Sequence, residues 1–269
     1  MAHGQKISAV VHTYNSEKHL DKVLSALDGL DEILVLDMES TDSTVEIARR
    51  HGARVIVKER GEHRIPEAYR DFADHAAAND WILVVDSDEI VPKALLDYLY
   101  AELERDPDTP RGYMIARKNY YMGKWLRATY PDYTPRLFKK EGSYWPYAVH
   151  TFPTYEGPTL YVPRKRTDLA LIHLANEDTG TVVRKMDTYS NYELERRKRS
   201  YSPWKFIYEP PFRFFKSYFL KGGFRDGVPG FIRSMQDAFY RFTLLAKLEE
   251  ERRAPFPDKD IDRDTPKNK

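Results

Sequence analysis

No cysteine occurs in the 269 residues, so disulfides and thiolate metal sites are excluded. Neither sign of charge is in real excess: 43 Lys and Arg stand against 42 Asp and Glu. Bulk nucleic-acid binding, which needs a strong basic surplus, is therefore not expected. No stretch reaches the roughly 18 uncharged apolar residues needed to span a bilayer. The opening Met1-Ala2-His3-Gly4-Gln5-Lys6 has no signal-peptide apolar region and runs straight into a strand-like segment. The expectation is a cytoplasmic protein. Internal repeats are also lacking. Aromatic residues are plentiful, with 19 Tyr and 13 Phe, and they gather in the second half.

The first hundred residues alternate apolar β-branched runs with helical periodicity. Strands are predicted at 7–13, 32–37, 53–57 and 81–86, and helices from Ser16 through Leu27, over 43–51, 66–78 and 92–104. Ser16 suits an N-cap, Gly29 and Gly52 suit helix ends, and Pro92 suits a first turn. A β-α-β-α-β-α-β order implies an α/β fold with a mostly parallel sheet and helices on both faces. Ligands of such sheets lie at the carboxyl ends of the strands. Here those ends are Thr13-Tyr14-Asn15, Asp37-Met38-Glu39 and Asp86-Ser87-Asp88. Further strands are predicted near 113–117, 136–139 and 169–175, with an irregular stretch from 146 to 163 and a charged helix over 179–199.

Two Asp residues spaced by one at a strand end can hold a hard divalent cation, or share a cation and a ribose hydroxyl. As a bare tripeptide, Asp86-Ser87-Asp88 reads equally as a solvated turn capping the next helix. Its place after a fourth buried strand favours function. Asp37 at its strand end can accept from a ribose or a base N–H, whereas Ser40, Thr41 and Asp42 also suit capping of the next helix. Asp132, in Tyr130-Pro131-Asp132-Tyr133, reads from the residues alone as a turn residue after Pro131. A lone His on a strand, such as His173, is more often packed or hydrogen-bonded.

The segments His12-Thr13-Tyr14-Asn15-Ser16-Glu17, Asp37-Met38-Glu39-Ser40-Thr41-Asp42-Ser43-Thr44 and Asp86-Ser87-Asp88-Glu89 resemble family 2 glycosyltransferases of the GT-A fold. Asn119-Tyr120-Tyr121-Met122-Gly123-Lys124-Trp125, Tyr130-Pro131-Asp132-Tyr133, Arg136-Leu137-Phe138 and the Phe214–Phe231 stretch resemble a narrower branch, the bacterial lipopolysaccharide-core β-glucosyltransferase-like group. The resemblance implies an inverting transfer from a nucleotide-diphosphate sugar, with UDP the expected carrier, to a glycan or lipid-linked acceptor. It implies a Mg²⁺ or Mn²⁺ ion at Asp88 and Asp86, with His173 or His150 as third ligand, and Asp132 as the base. Donor contacts are expected from Thr13, Tyr14, Asn15, Glu17, Asp37, Glu39, Arg70, Asp86, Ser87 and Arg136. Arg136 would bind diphosphate or hold Asp132 in place. On this reading residues 1–175 form the GT-A domain, its nucleotide half ending near 105 and its acceptor half spanning about 106–175. Residues 176–248 form a helical extension, and 249–269 a flexible tail.

Two other classes fit less well. A nucleotidyltransferase usually carries a Gly-rich loop after its first strand, and Thr13-Tyr14-Asn15-Ser16 has no glycine. A silent sugar-nucleotide or glycan-binding module would be expected to have lost the acidic strand ends, yet Asp37, Asp86, Asp88 and Asp132 are all present. The stretch 206–248 interleaves Phe and Tyr with Lys and Arg. Phe212, Phe215 and Phe219 share one helical face, as do Phe231, Met235, Phe239 and Phe242. Such a segment reads as an interfacial membrane contact. The alternatives are a cover on the acceptor side or a dimer contact.

Overall fold

The computed structural model describes residues 4–59, 67–106, 109, 111–146, 152–174, 178–196 and 202–253. The chain divides into two compact units, residues 1–125 with 129–175, and residues 126–128 with 176–269.

In the first unit the apolar runs become β1 (Ile7–Thr13), β2 (Glu32–Asp37), β3 (Arg54–Val57) and β4 (Trp81–Asp86). They pair in parallel in the order β3-β2-β1-β4. Helices α1 (Glu17–Ser25), α2 (Thr44–Arg50), α3 (Glu67–Ala76) and α4 (Lys93–Arg105) link or follow them. Alternate strand residues face opposite sides of a sheet, and each side has its own core. Ile7, Ala9, Val11, Val35, Leu83 and Val85 pack with apolar residues of α1, α2 and α4. Val10, Leu34, Leu36, Ile82 and Val84 pack with Ala73 and Ala77, from α3 and its end, and with Phe138 and Trp145. Continuous apolar strands therefore suit this sheet, because both faces are covered.

Beyond β4 the sheet turns mixed. The order continues β4-β8-β6-β10-β5, with β8 (Asp132–Lys139) antiparallel to both β4 and β6 (Gly112–Tyr121). β10 (Leu171–His173) runs parallel to β6, and β5 (Glu89–Ile90) closes the edge. β7 (Lys124–Trp125) and β9 (Thr159–Tyr161) also pair with β6. Pro135 sits inside β8, and the β6–β8 register shifts between Tyr113 and Met114 beside it. A missing N–H in an inner strand is accommodated at such an irregularity. The expected strand at 169–175 shortens to three residues, those at 113–117 and 136–139 lengthen, and the irregular 146–163 stretch contains β9.

Ser16 stands at the N-cap of α1, but its side chain makes no cap bond. Its hydroxyl donates to Ser87 Oγ at 2.9 Å instead, tying the first loop to the Asp86-Ser87-Asp88 turn.

The second unit holds α5 (Thr179–Arg196), α6 (Lys205–Phe215), a π turn at Lys216–Leu220 and α7 (Gly227–Arg252). Tyr240 Oη donates to Glu193 at 2.7 Å and Lys247 pairs with Asp187 at 2.7 Å, joining α5 to α7. Arg241 pairs with Glu209, joining α7 to α6. α7 runs four residues past the expected boundary at 248, and most of the tail expected at 249–269 lies outside the described residues. No described helix is long and apolar enough to cross a membrane.

Asp74 on α3 is buried in the second core, where Trp145 Nε1 donates to it at 2.5 Å. Burial outweighs that bond and pushes its carboxyl up to about 7. The folded state thus holds a proton there that the unfolded chain releases above its ordinary carboxylate pKa. Folding stability from this group is full at acid pH and declines as pH rises toward 7, by on the order of a few kcal/mol. Asp74→Asn should gain stability relative to the parent as pH rises from about 5 to about 8. Urea melts of both chains check this, and a pH-independent difference between them would contradict it.

Candidate active site

The strand order places β1 between β2 and β4, so chain connections leave in opposite directions on either side of it. That is the topological switch point where α/β sheets open a ligand crevice. Thr13, Asp37 and Asp86 end the three strands there.

Two loops at this edge are locked together. Asn15 (φ 47°) and Glu39 (φ 55°) adopt left-handed backbone conformations just past β1 and β2. Asn tolerates this conformation, but Glu pays a steric penalty that such sites sustain only when the surroundings hold it. The surroundings do hold it. Ser40 Oγ accepts from Asn15 N at 2.8 Å, and Asn15 Oδ1 accepts from Thr41 N at 2.8 Å. Glu17 Oε2 accepts from Ser43 N at 3.1 Å, while Asp42 accepts from Glu17 N and Thr44 N. Tyr14, Glu17 and Glu39 remain exposed around this latch.

Asp37 needs correction. It was expected to face a ribose or base, but it is wholly buried. Thr13 Oγ1 donates to Oδ1 at 2.8 Å, Ser40 Oγ to Oδ1 at 2.6 Å, and Ser40 N to Oδ2 at 2.8 Å. Its carboxylate, like the buried Thr13, braces the loop that carries Glu39.

At the end of β4 a second group forms a closed ring of contacts. Asp86 pairs with Arg136 through Oδ2 and with Arg70 through Oδ1 at 3.3 Å. Arg136 also meets Glu89 at 2.6 Å, and Arg117 joins Glu89 at 3.3 Å to Asp132 at 2.6 Å. Asn119 Nδ2 donates to Asp132 at 3.0 Å, and Asn119 Oδ1 meets His173 Nδ1 at 2.6 Å. His173 Nε2 lies 3.4 Å from Asp88 Oδ2, and Ser87 closes the circuit back to Asp86. Arg117 and Asn119 are two apart on β6, so they point to one face.

The charges divide unevenly. Burial alone would raise the Asp86 carboxyl, but Arg136 and Arg70 hold it well below the usual carboxylate range. Burial does raise Glu89 against the pull of Arg136 and Arg117, with the Asp86 charge adding to the rise. Burial, then Arg70, drives the His12 imidazole down to about 3. His12 pairs with Asp86 across β1 and β4, so a neutral ring stands beside a charged carboxylate.

Arg136 was expected to touch diphosphate or Asp132. It is buried and reaches neither a solvent-facing position nor Asp132, because Asp86 and Glu89 take its guanidinium. Arg117 is the arginine that holds Asp132. Asp86, expected beside Asp88 as a metal ligand, has both oxygens engaged by guanidiniums. Among the described residues no three His or acidic groups gather as a cation cage. What fits a cation is the Asp88–His173 pair. Asn119 Nδ2 donates to a carboxylate, so its Oδ1 must accept from His173 Nδ1. Nε2 then presents its lone pair toward the Asp88 oxygen, so these two are the residues that could hold a metal ion between them. His150 lies outside the described residues.

Glu89, Arg117 and Asn119 did not figure among the expected site residues. The available signal was the polar run Arg117-Lys118-Asn119 breaking into the second half of an apolar strand, and an acid three residues after Asp86.

All four acidic strand-end positions fall within the match to the Glycosyl transferase family 2 model, which spans residues 8–156. An uncharacterized glycosyltransferase of Rickettsia felis is 32% identical over 268 residues, covering 91% of this chain and 90% of its own. The lipopolysaccharide core biosynthesis glycosyltransferase LpsC of Rhizobium meliloti is 29% identical over 258 residues, covering 90% of this chain and 91% of its own. Glucosyl-3-phosphoglycerate synthase from Mycobacterium tuberculosis, solved with Mn²⁺, UDP-glucose and phosphoglyceric acid, superimposes on 47% of this chain and 46% of that chain at 27% identity, with a TM-score of 0.34. That superposition is too loose to bear on the site. The family match runs from β1 through β8 and the relatives run nearly end to end, so this chain, an α/β protein of the GT-A fold, belongs to glycosyl transferase family 2.

Proposed function

We propose that the protein moves a sugar from a nucleoside-diphosphate donor, a UDP-sugar, to a saccharide or lipid-linked acceptor of a cell-envelope glycan, with inversion at the anomeric carbon. The observation that carries this reading is the ring from Asp86 to Asp88 through Arg136, Glu89, Arg117, Asp132, Asn119 and His173. It joins Asp86, Asp88 and Asp132 through shared partners, which supports donor-side roles for the first two and an acceptor-side role for the third. The kinship to LpsC, whose name specifies lipopolysaccharide core synthesis, supports the envelope acceptor. Such chemistry suits a cytoplasmic protein working at the inner face of the cytoplasmic membrane.

On this reading Tyr14, Asn15, Glu17 and Glu39 surround the nucleoside, and Ser87 borders it. Arg70, whose Nε has no hydrogen-bond partner among the described residues, is our choice for the diphosphate, which a guanidinium fork suits. Asp88 and His173 would hold Mg²⁺ or Mn²⁺, with donor oxygens completing the shell, as is common for such ions. The ion would supply neutralisation of the charge that develops on the leaving diphosphate.

Asp132 is the base. Among the described residues its hydrogen bonds, from Arg117 Nε, Arg117 Nη2 and Asn119 Nδ2, land on Oδ2. Oδ1 is left to take the proton of an acceptor hydroxyl. The freed oxygen attacks the anomeric carbon as the bond to the diphosphate breaks on the opposite side, and the nucleoside diphosphate departs. One displacement from the far face inverts the centre.

Asp132→Asn should lower kcat by roughly 10²- to 10⁴-fold, the usual contribution of a positioned base, with nucleotide affinity unchanged. Asp88→Asn should instead abolish the metal-dependent part of nucleotide binding. Near-normal turnover of Asp132→Asn would remove the base assignment and leave the metal site standing. A thermal-shift screen of nucleotides and sugar nucleotides, with and without Mn²⁺, should find one base stabilising selectively and only with metal. Stabilisation that ignores both the base and Mn²⁺ would sink the donor assignment.

A further inference from the structure

The second unit is built with its apolar residues outside. α6 buries none of its residues. In the core-facing positions of α7 stand Gly230, Ser234, Gln236, Ala238 and Arg241, joined by Leu244 and Leu245 only near its end. The large apolar side chains point elsewhere. Trp204, Tyr208, Phe212, Phe215 and Phe219 recur at spacings of three and four along α6 and its π turn. Val228, Phe231, Met235, Phe239 and Phe242 do the same along α7. Every one of these is between 46% and 72% exposed. Phe214 joins the two stripes, with its ring 6.5 Å from Phe219 and 5.7 Å from Phe231. A water-soluble monomer rarely exposes so large a continuous apolar face without a partner for it.

The charges along this face are mostly basic. Between residues 202 and 237 the basic residues are Lys205, Arg213, Lys216, Lys221, Arg225 and Arg233, and the acidic ones are Glu209, Asp226 and Asp237. Glu209 is paired with Arg241. Asp226 is buried and accepts from Ala128 N at 3.0 Å. Asp237, one turn further along α7, pairs with Arg233 at 3.3 Å, and Arg213, Lys216, Lys221 and Arg225 make up the basic excess of the rim.

We propose that this two-helix face docks on an anionic lipid bilayer, its rings entering the headgroup and acyl boundary while the lysines and arginines meet lipid phosphates. Aromatic and aliphatic residues bordered by Lys and Arg match that interface in both polarity and charge. The sign of the rim argues against a second copy as occupant. A two-fold contact through this face would bring one basic excess against another, with like charge facing like charge across the seam. The proposal stands on the geometry of this unit and is independent of the transferase reading. A chain that binds vesicles without transferring sugar keeps the docking face, and an active transferase that never binds them loses it alone.

The test is flotation of the full-length protein with vesicles of phosphatidylcholine alone and of phosphatidylcholine mixed with phosphatidylglycerol, at low and high salt. Binding to the anionic vesicles at low salt, weakened by salt, is expected. Combined Trp204→Ser, Phe212→Ser and Phe239→Ser should weaken it by tenfold or more. Because that variant removes apolar surface, Lys216→Glu with Lys221→Glu serves as a second test that keeps every ring. It should lower binding by about fivefold for each charge lost and reduce the salt dependence. Absence of flotation at low salt would overturn the proposal. So would binding that neither variant alters, or a concentration-dependent dimer that the serine variant abolishes, since the last assigns the face to a second copy.

Discussion

The site depends on one buried guanidinium. Arg136 lies between Asp86 and Glu89, with Glu89 wholly excluded from solvent. A carboxylate taken out of water is costly unless it is paired, and removing one member of such a pair leaves the other uncompensated, at about 3–5 kcal/mol. Arg136 meets that requirement for two acids at once, and Arg117 shares the load at Glu89. The consequence reaches beyond stability. Because Arg117 must serve Glu89, its other end is fixed, and that end positions Asp132. A carboxylate held through one oxygen by a braced arginine keeps its other oxygen aimed, and a base needs such aim more than it needs strength.

The ring also separates two acids that look alike in the sequence. Asp86 and Asp88 are one residue apart, yet their surroundings diverge. Asp86 faces two guanidiniums and carries its charge as a structural and electrostatic element. Asp88 faces an imidazole whose proton is set by Asn119. The same Asn119 binds Asp132, so the surroundings of Asp88 and Asp132 share a hydrogen-bond partner, while Arg117 links Asp132 to Glu89. Loss of either bridge therefore disturbs both carboxylates that it links.

How much of this was legible depended on range along the chain. β1 to β4 were read nearly to the residue, because strands buried on both faces appear as unbroken apolar runs. The acidic strand ends followed from the parallel order. β5 and β7 are two residues long and carry no periodicity, so pairing alone defines them. Glu89 was visible only as part of an acidic cluster, and its burial is decided by Arg136, 47 residues away. Asp37 shows the converse. Its position at a strand end was correct, but its inward orientation follows from Thr13 and Ser40, whose small hydroxyls satisfy it from within. Ser16 had the chemistry of a cap and a nearer partner in Ser87. In each case local propensity was overruled by a contact from another strand.

The second unit was legible in a different sense. Its aromatic stripes follow from spacing alone, but an amphipathic stripe normally marks the side that faces a core. Only the structure decides between core and surface, and it does so through the opposite face. Gly230 and Ser234 are small because α7 packs closely there: a Cβ on Gly230 would come within 2.0 Å of the Gly223 carbonyl oxygen. The close contacts are made by small residues and by the Arg241–Glu209 pair, while the rings pack on one another, as Phe214 does on Phe231 at 5.7 Å. They stay about half exposed beside an excess of positive charge, an arrangement with a hydrophobic cost that folding alone does not require.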